Sequence, residues 1–155
     1  DVTDTGNVVA SLTAGSGIDI TNNIISSTGG GTRVLNPVSN LSNVFSAQTS
    51  SLSITIATGL VFYGGGVVFH FNIGAWVSNG GGYTLTLDCI NASNVTIVSV
   101  AIPGWYNTGV HYHLSRSYYY PSLPAGTYKL NIRRSSTGVI MDVNNYINVV
   151  TQEVS

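Results

Sequence analysis

The sequence predicts an all-β protein, and three observations predict it. Apolar and polar residues alternate with period two in run after run, as they do where a strand buries one face. Clusters of Gly, Asn, Ser and Pro separate these runs at intervals of about 8–12 residues, the spacing of a sandwich or barrel. Nowhere does an i, i+3, i+4 apolar pattern persist through three turns of helix.

The first run is Leu12-Thr13-Ala14-Gly15-Ser16-Gly17-Ile18-Asp19-Ile20-Thr21-Asn22-Asn23-Ile24-Ile25. Apolar residues alternate on either side of a Gly-x-Gly, and an Asn-Asn pair then turns the chain. This is a strand, a turn and a strand with little room for a core. A lone hairpin is marginal in water, so a segment of this kind gains stability by winding around copies of itself. Gly29-Gly30-Gly31 follows as a hinge. We divide the chain there, into residues 1–31 and a head over residues 32–155.

In the head, Ser51 to Ala57 alternates Leu52, Ile54 and Ile56 with Ser53 and Thr55. Val67 to Val77 alternates Val67, Phe69, Phe71, Ile73, Ala75 and Val77 with Val68, His70, Asn72, Gly74 and Trp76. A turn at Ser78-Asn79-Gly80-Gly81-Gly82 leads to Tyr83–Ile90, where Thr84, Thr86 and Asp88 oppose Tyr83, Leu85, Leu87 and Cys89. Asn94 to Ile102 is apolar on both faces near its end. Val110 to Ser115 sets Val110, Tyr112 and Leu114 against His111, His113 and Ser115. Thr127 to Arg133 sets Tyr128, Leu130 and Ile132 against Lys129, Asn131 and Arg133, and Val139 to Val150 supplies one or two last strands.

Gly66-Val67-Val68-Phe69-His70-Phe71-Asn72-Ile73 resembles the central strand of the tumour necrosis factor and complement globular-head superfamily. Leu123-Pro124-Ala125-Gly126-Thr127-Tyr128-Lys129-Leu130 resembles its penultimate hairpin, and Ile147-Asn148-Val149-Val150 would close the sheet. The resemblance implies a jelly-roll head whose inner sheet faces a threefold axis, with Val67–Val77 beside Val110–Ser115. The aromatic-Gly ending common in that superfamily is replaced here by Thr151-Gln152-Glu153-Val154-Ser155. The opening segment, Leu-x-x-Gly-x-Gly-Ile-x-Ile, resembles the shaft repeats of trimeric virus and phage fibres.

Charge and composition limit the function. Charged residues are 7% of the chain, with five Lys and Arg, six Asp and Glu, and a net charge of −1, against roughly 25% charged residues in ordinary domains. Phosphate binding needs clustered cations, so nucleic acid is not an expected partner. Hydrophobic residues are 43% of the chain, which argues against disorder. No apolar run nears the ~18 residues that span a bilayer. The chain opens on Asp1, which reads as a piece of something longer. Cys89 is the lone cysteine and falls in phase with the apolar positions, as a core thiol would. Sequons at Asn40, Asn91 and Asn94 are expected by chance in so Asn-, Ser- and Thr-rich a chain.

Strands Tyr83–Ile90 and Thr127–Arg133 present charge and hydroxyls, which reads as a water-facing sheet. Strands Val67–Val77 and Val110–Ser115 present Val68, His70, Asn72, Trp76, His111 and His113, aromatic and uncharged. His70, Asn72 and Trp76, with Ile18, Ile20 and Ile24 of the opening segment, are therefore the candidate trimer interface. His111 and His113 stand i, i+2 on a strand, with backbones roughly 6.5–7 Å apart on one side. Around a threefold axis the pair becomes six imidazoles, enough for an octahedral transition-metal ion. The plainer role is a structural pair that hydrogen-bonds its neighbours.

Two aromatic clusters, Pro103–Gly109 and Arg116–Pro121, read as loops flanking Val110–Ser115. Their Trp105, Tyr106, Asn107, Arg116, Tyr118, Tyr119 and Tyr120 are the candidate ligand residues, with flat faces for sugar rings and donors for hydroxyls or a carboxylate. Hydrolysis of a glycoside needs two flanking carboxyl groups. The head offers only Asp88, Asp142 and Glu153, and no Gly-x-Ser-x-Gly elbow is present. The expected function is attachment: the receptor-binding end of a homotrimeric virus or phage fibre on a virion or cell surface, recognising a cell-surface glycan or protein, with no enzyme activity. A ligand-free trimerisation cap and the tip of a bacterial trimeric adhesin are the alternatives.

Overall fold

The structure, a computed structural model, describes residues 18–21, 24–27, 32–105 and 109–154; of the first two stretches it describes the backbone. All of the regular structure described is β. Strands β1 (Ile18–Thr21) and β2 (Ile24–Ser27) pair antiparallel, with Thr21 opposite Ile24. The side chains of Ile18, Ile20 and Ile24 lie outside the described part, as do Gly15, Gly17 and the triple glycine.

The head is a sandwich of two antiparallel sheets. One sheet runs β3 (Arg33–Ser42), β11 (Tyr146–Val154), β5 (Gly65–Val77), β8 (Tyr112–Leu123), with the short β10 (Val139–Ile140) on the far end of β5. The other runs β4 (Ser53–Phe62), β9 (Gly126–Arg134), β6 (Tyr83–Asn91), β7 (Thr96–Trp105). The chain crosses between sheets after β3, β4, β5, β7, β8 and β9, which makes the sandwich a jelly roll. β5 and β8 lie side by side, as the resemblance implied.

Period-two alternation builds the core. Val67, Phe69, Phe71, Ile73, Ala75 and Val77 of β5 face inward with Ile147 and Val149 of β11. They meet Leu85, Leu87 and Cys89 of β6, Leu130 and Ile132 of β9, and Val98, Val100 and Ile102 of β7. Each such aliphatic or aromatic side chain contributes about 1.5–3 kcal/mol on burial. Desolvation pushes the Cys89 thiol up to about 12, as its place in this apolar layer requires.

Arg33–Ser42 is a strand that alternation did not reveal. Asn36 and Pro37 break the pattern, and β3 pairs on one side only, with register shifts opposite Val149. An edge strand with bulges tolerates a residue without an N–H.

One end of the sandwich closes on a charge. Arg134 is the last inward-facing position of β9 and is 1% exposed. Its guanidinium donates to Ser51 O (3.1 Å), Thr137 O (3.2 Å), Val139 O (2.6 Å) and Thr49 O. It also stacks 4.5 Å over the Phe45 ring. No carboxylate joins it among the described residues. Burial pulls its pKa below the ordinary arginine value, from a starting point so high that it stays a cation.

The links β4–β5 and β8–β9 are short, since Phe62 is followed by Gly65 and Leu123 by Gly126 at the strand ends. They mark one end of the sandwich, and Arg33 lies opposite Glu153 at that same end. The stretches 43–52, 78–82, 109–111 and 135–145 fall at the other.

Two outcomes follow. At pH 8 the native thiol of Cys89 carries almost no thiolate, so iodoacetamide should label it only after unfolding; fast native labelling would contradict this burial. Arg134→Leu strands four backbone acceptors, each worth about 1–3 kcal/mol when left unpaired, and should lower urea stability by at least about 4 kcal/mol.

Candidate functional site

The two sheets present different outward faces. On the four-stranded sheet the outward row holds Asp88, Lys129 and Arg133, as expected, but it is less open than a water-facing row. Thr86 and Asp88 are buried, because β6 is a central strand covered by its neighbours' side chains. Asp88 accepts from Ser99 Oγ (2.6 Å) and from Arg133 Nε and Nη2 (3.1 and 3.4 Å).

The five-stranded sheet is neutral along its outward face. β5 contributes Val68, His70, Asn72, Gly74 and Trp76, β8 contributes His113, Ser115, Ser117 and Tyr119, and β11 contributes Asn148, Val150 and Gln152. On β5 and β11 these side chains are half-buried. His70 Nδ1 lies 2.7 Å from Ser117 Oγ. Asn72 Oδ1 is inaccessible and has no hydrogen-bond partner among the described residues. Around these two residues is a shallow open depression of about 500 Å³, bordered by Ser115, Ser117, Asn148 and Val150 and by the β5–β8 ladder at Phe71 and Arg116.

Two glycines let rings lie flat on this face. A Cβ at Gly66 would stand 2.8 Å from the Tyr119 hydroxyl and 2.9 Å from its ring. A Cβ at Gly74 would stand 2.6 Å from Nδ1 of His113, its cross-strand partner. His113 stacks on Tyr146 at 4.9 Å. Next to it, Trp76 packs against His111 at 5.8 Å and donates its indole N–H to Asp142 Oδ2 at 2.9 Å. Asp142 also accepts from the Asn144 N–H (2.9 Å). Asn145 is fully buried. With its amide turned so that both ends are satisfied, its nitrogen donates to Asp142 Oδ1 (3.1 Å) and lies 3.1 Å from His111 Nδ1, and its oxygen accepts from the Ala75 N–H (3.3 Å). His111 and His113 therefore do lie on one side of the sheet, although His111 precedes the strand. Each ring has partners within the chain. Among the described residues no three His, Cys, Asp or Glu side chains converge as metal ligands.

The expected loops differ most from what the structure holds. Arg116-Ser117-Tyr118-Tyr119-Tyr120-Pro121 is not a loop but the second half of β8. Its partner β5 pairs with β8 at ten positions, five of them Arg116 to Tyr120, with one register shift between Gly65 and Val67. Alternation therefore splits the tyrosines: Arg116, Tyr118 and Tyr120 share one side of β8, and Tyr119 takes the other. Arg116, Tyr118 and Tyr119 are exposed, and Tyr120 packs partly on the core. Trp105 is no ligand face. It ends β7, is 1% exposed, and its indole N–H donates to Ile102 O at 2.9 Å. Tyr106 and Asn107 lie outside the described residues.

The three head carboxylates stand apart in role. Asp88 is tied to Arg133 on the outward side of the four-stranded sheet. Asp142 anchors Trp76. Glu153 is buried near the end of β11, where it accepts from Arg33 (2.9 Å) and the Tyr63 N–H (2.6 Å). Sequence reasoning missed this pair because Arg33 and Glu153 are 120 residues apart and meet only through the β3–β11 ladder.

Trp105→Ala should cost about 3–5 kcal/mol of stability, the usual range for emptying an aromatic core site. Thermal denaturation checks it, and an unchanged melting temperature would return Trp105 to the surface.

No family model matches the chain, and no curated protein matches it. Solved structures do. A structure of infectious bursal disease virus, Gt strain, is 14% identical with a TM-score of 0.55, over 88% of this chain and 35% of that one. The crystal structure of the infectious bursal disease virus VP2 subviral particle is 14% identical with a TM-score of 0.49, over 88% and 37%. The structure of Eiger TNF from S. frugiperda is 16% identical with a TM-score of 0.42, over 64% and 66%. The chain thus spans about a third of the length of the viral proteins it matches. At 14% identity the likeness with a TM-score of 0.55 shows a shared β-sandwich fold and nothing finer.

Proposed function

We propose that this chain is the receptor-binding head of a homotrimeric virus or phage fibre, attaching to a glycan or protein on a host cell. The observation that carries the reading is the unequal dressing of the two sheets. Asp88, Lys129 and Arg133 ride on the outward side of one. The other has a wide uncharged surface of His70, Asn72, Trp76, Asn148 and Val150, with a buried Asn72 acceptor left without a donor among the described residues. An orphaned buried acceptor costs about 1–3 kcal/mol, a cost that a donor from a second copy would remove. Neutral, partly aromatic sheet surface suits the apolar centre of an oligomer interface.

The direction of the chain supports attachment. Residue 32 enters the sandwich at the Arg33 end, so a shaft built from residues 1–31 would hold the head there. The stretches 43–52, 78–82, 109–111 and 135–145 would then point away from the shaft, and the exposed side of β8 would lie along the flank. Three identical heads multiply weak single-site contacts through avidity. The reading makes the chain a binder and not a catalyst.

Light scattering of the purified chain should give three times the 16.3 kDa chain mass. A mass near 16.3 kDa would remove the trimer. A glycan array and binding to whole host cells then separate a receptor-binding head, which binds a defined subset, from an assembly cap, which binds none.

A further inference from the structure

We propose that the Arg116 side of β8 is a subsite for an acidic sugar, with the guanidinium taking its carboxylate and Tyr118 and Tyr120 its ring and hydroxyls. This rests on the attachment reading and names the class of ligand it would serve.

The argument is one of unmet donors. Arg33 is held by Glu153, Arg133 by Asp88, Arg134 by four carbonyls and Lys129 by Asn94 Oδ1 at 2.8 Å. Arg116 completes the five basic side chains. Among the described residues it alone of the five has no hydrogen bond, ion pair or ring contact. It is exposed in the middle of β8, opposite Phe71. In a chain this poor in charge, an unpaired guanidinium is a conspicuous donor array, and its planar fork fits a carboxylate two-pronged.

The tyrosines differ in the same way. Tyr83 Oη donates to Asn79 Oδ1 (3.1 Å) and Tyr128 Oη to Pro124 O (2.8 Å). Those of Tyr118 and Tyr120 have no hydrogen-bond partner among the described residues. Arg116, Tyr118 and Tyr120 recur every second residue, so they form a row with about 6.5–7 Å between neighbours. Flat rings with polar tips beside a cation suit a pyranose bearing a carboxylate. Among the described residues β8 is a sheet edge, paired with β5 alone; the row shares the side of Phe71, Phe69 and Val67, where Tyr120 packs partly on the core while Arg116 and Tyr118 stay exposed. A bare edge cation also discourages edge-to-edge aggregation, and the experiment separates that role from recognition.

The intact chain is tested on an array of matched glycans, each carried as the carboxylate sugar and as the same sugar reduced to the alcohol. The acidic members should bind at least tenfold tighter, the scale of one charge-assisted contact. Arg116→Gln should erase that preference with melting temperature and solution mass unchanged, Arg116→Lys should restore part of it, and Tyr118→Ala should weaken both members. Equal binding of acid and alcohol forms overturns the subsite and leaves attachment standing. Unchanged binding by Arg116→Gln, with aggregation increased, likewise overturns it in favour of edge protection. Binding to no glycan and to no host cell overturns both.

Discussion

Scarcity of charge governs this molecule. Five basic and six acidic side chains in 155 residues are too few to solvate two sheets with ions. The head concentrates three of them on the outward face of the four-stranded sheet and commits two more to the Arg33–Glu153 pair that fastens β3 to β11. Another, Arg134, goes inside. The outward face of β8, β5 and β11 must then make do with amides, imidazoles and hydroxyls, and its packing follows from that. His70 finds Ser117, Trp76 finds Asp142, and aromatic rings lie on glycines.

The buried guanidinium shows how polar groups substitute for a larger core at one end. Arg134 gathers carbonyls from 49–51 and 137–139, and Met141 and Phe45 exchange backbone hydrogen bonds beside it. This fixes the stretch carrying Asp142 and Asn145, which in turn holds Trp76 and His111. Cationic interior and neutral exterior are thus joined through a short segment of chain.

Much of this was readable in the sequence, and the failures have physical causes. β5, β6 and β9 announced themselves because each buries one face fully against the other sheet, so period two survives intact. β3 was hidden because an edge strand with bulges has no such obligation, and Pro37 looks like a breaker when it merely falls between Leu35 and Val38, where the β3–β11 register shifts. Arg116–Pro121 reads as a loop because composition near Tyr-Tyr-Tyr-Pro suggests one, whereas β5 extends far enough to pair with Arg116 through Tyr120. Trp105 was mistaken for a surface aromatic since Pro103 and Gly104 precede it; its indole turns back onto Ile102. Thr86 and Asp88 were assigned to the correct face, but sequence carries no measure of how deeply neighbouring side chains such as Arg133 will cover them.

The entry of β3 beside the exit of β11 has a mechanical consequence. Ladder hydrogen bonds run across the strands. Tension applied between the Arg33 end and the opposite loops therefore shears the β3–β11 ladder and loads its bonds together. Tension applied between Arg33 and Val154, neighbours at one pole, would instead peel the same ladder one rung at a time. Anchored by a single terminus and gripped elsewhere, the sandwich meets force in its stronger direction.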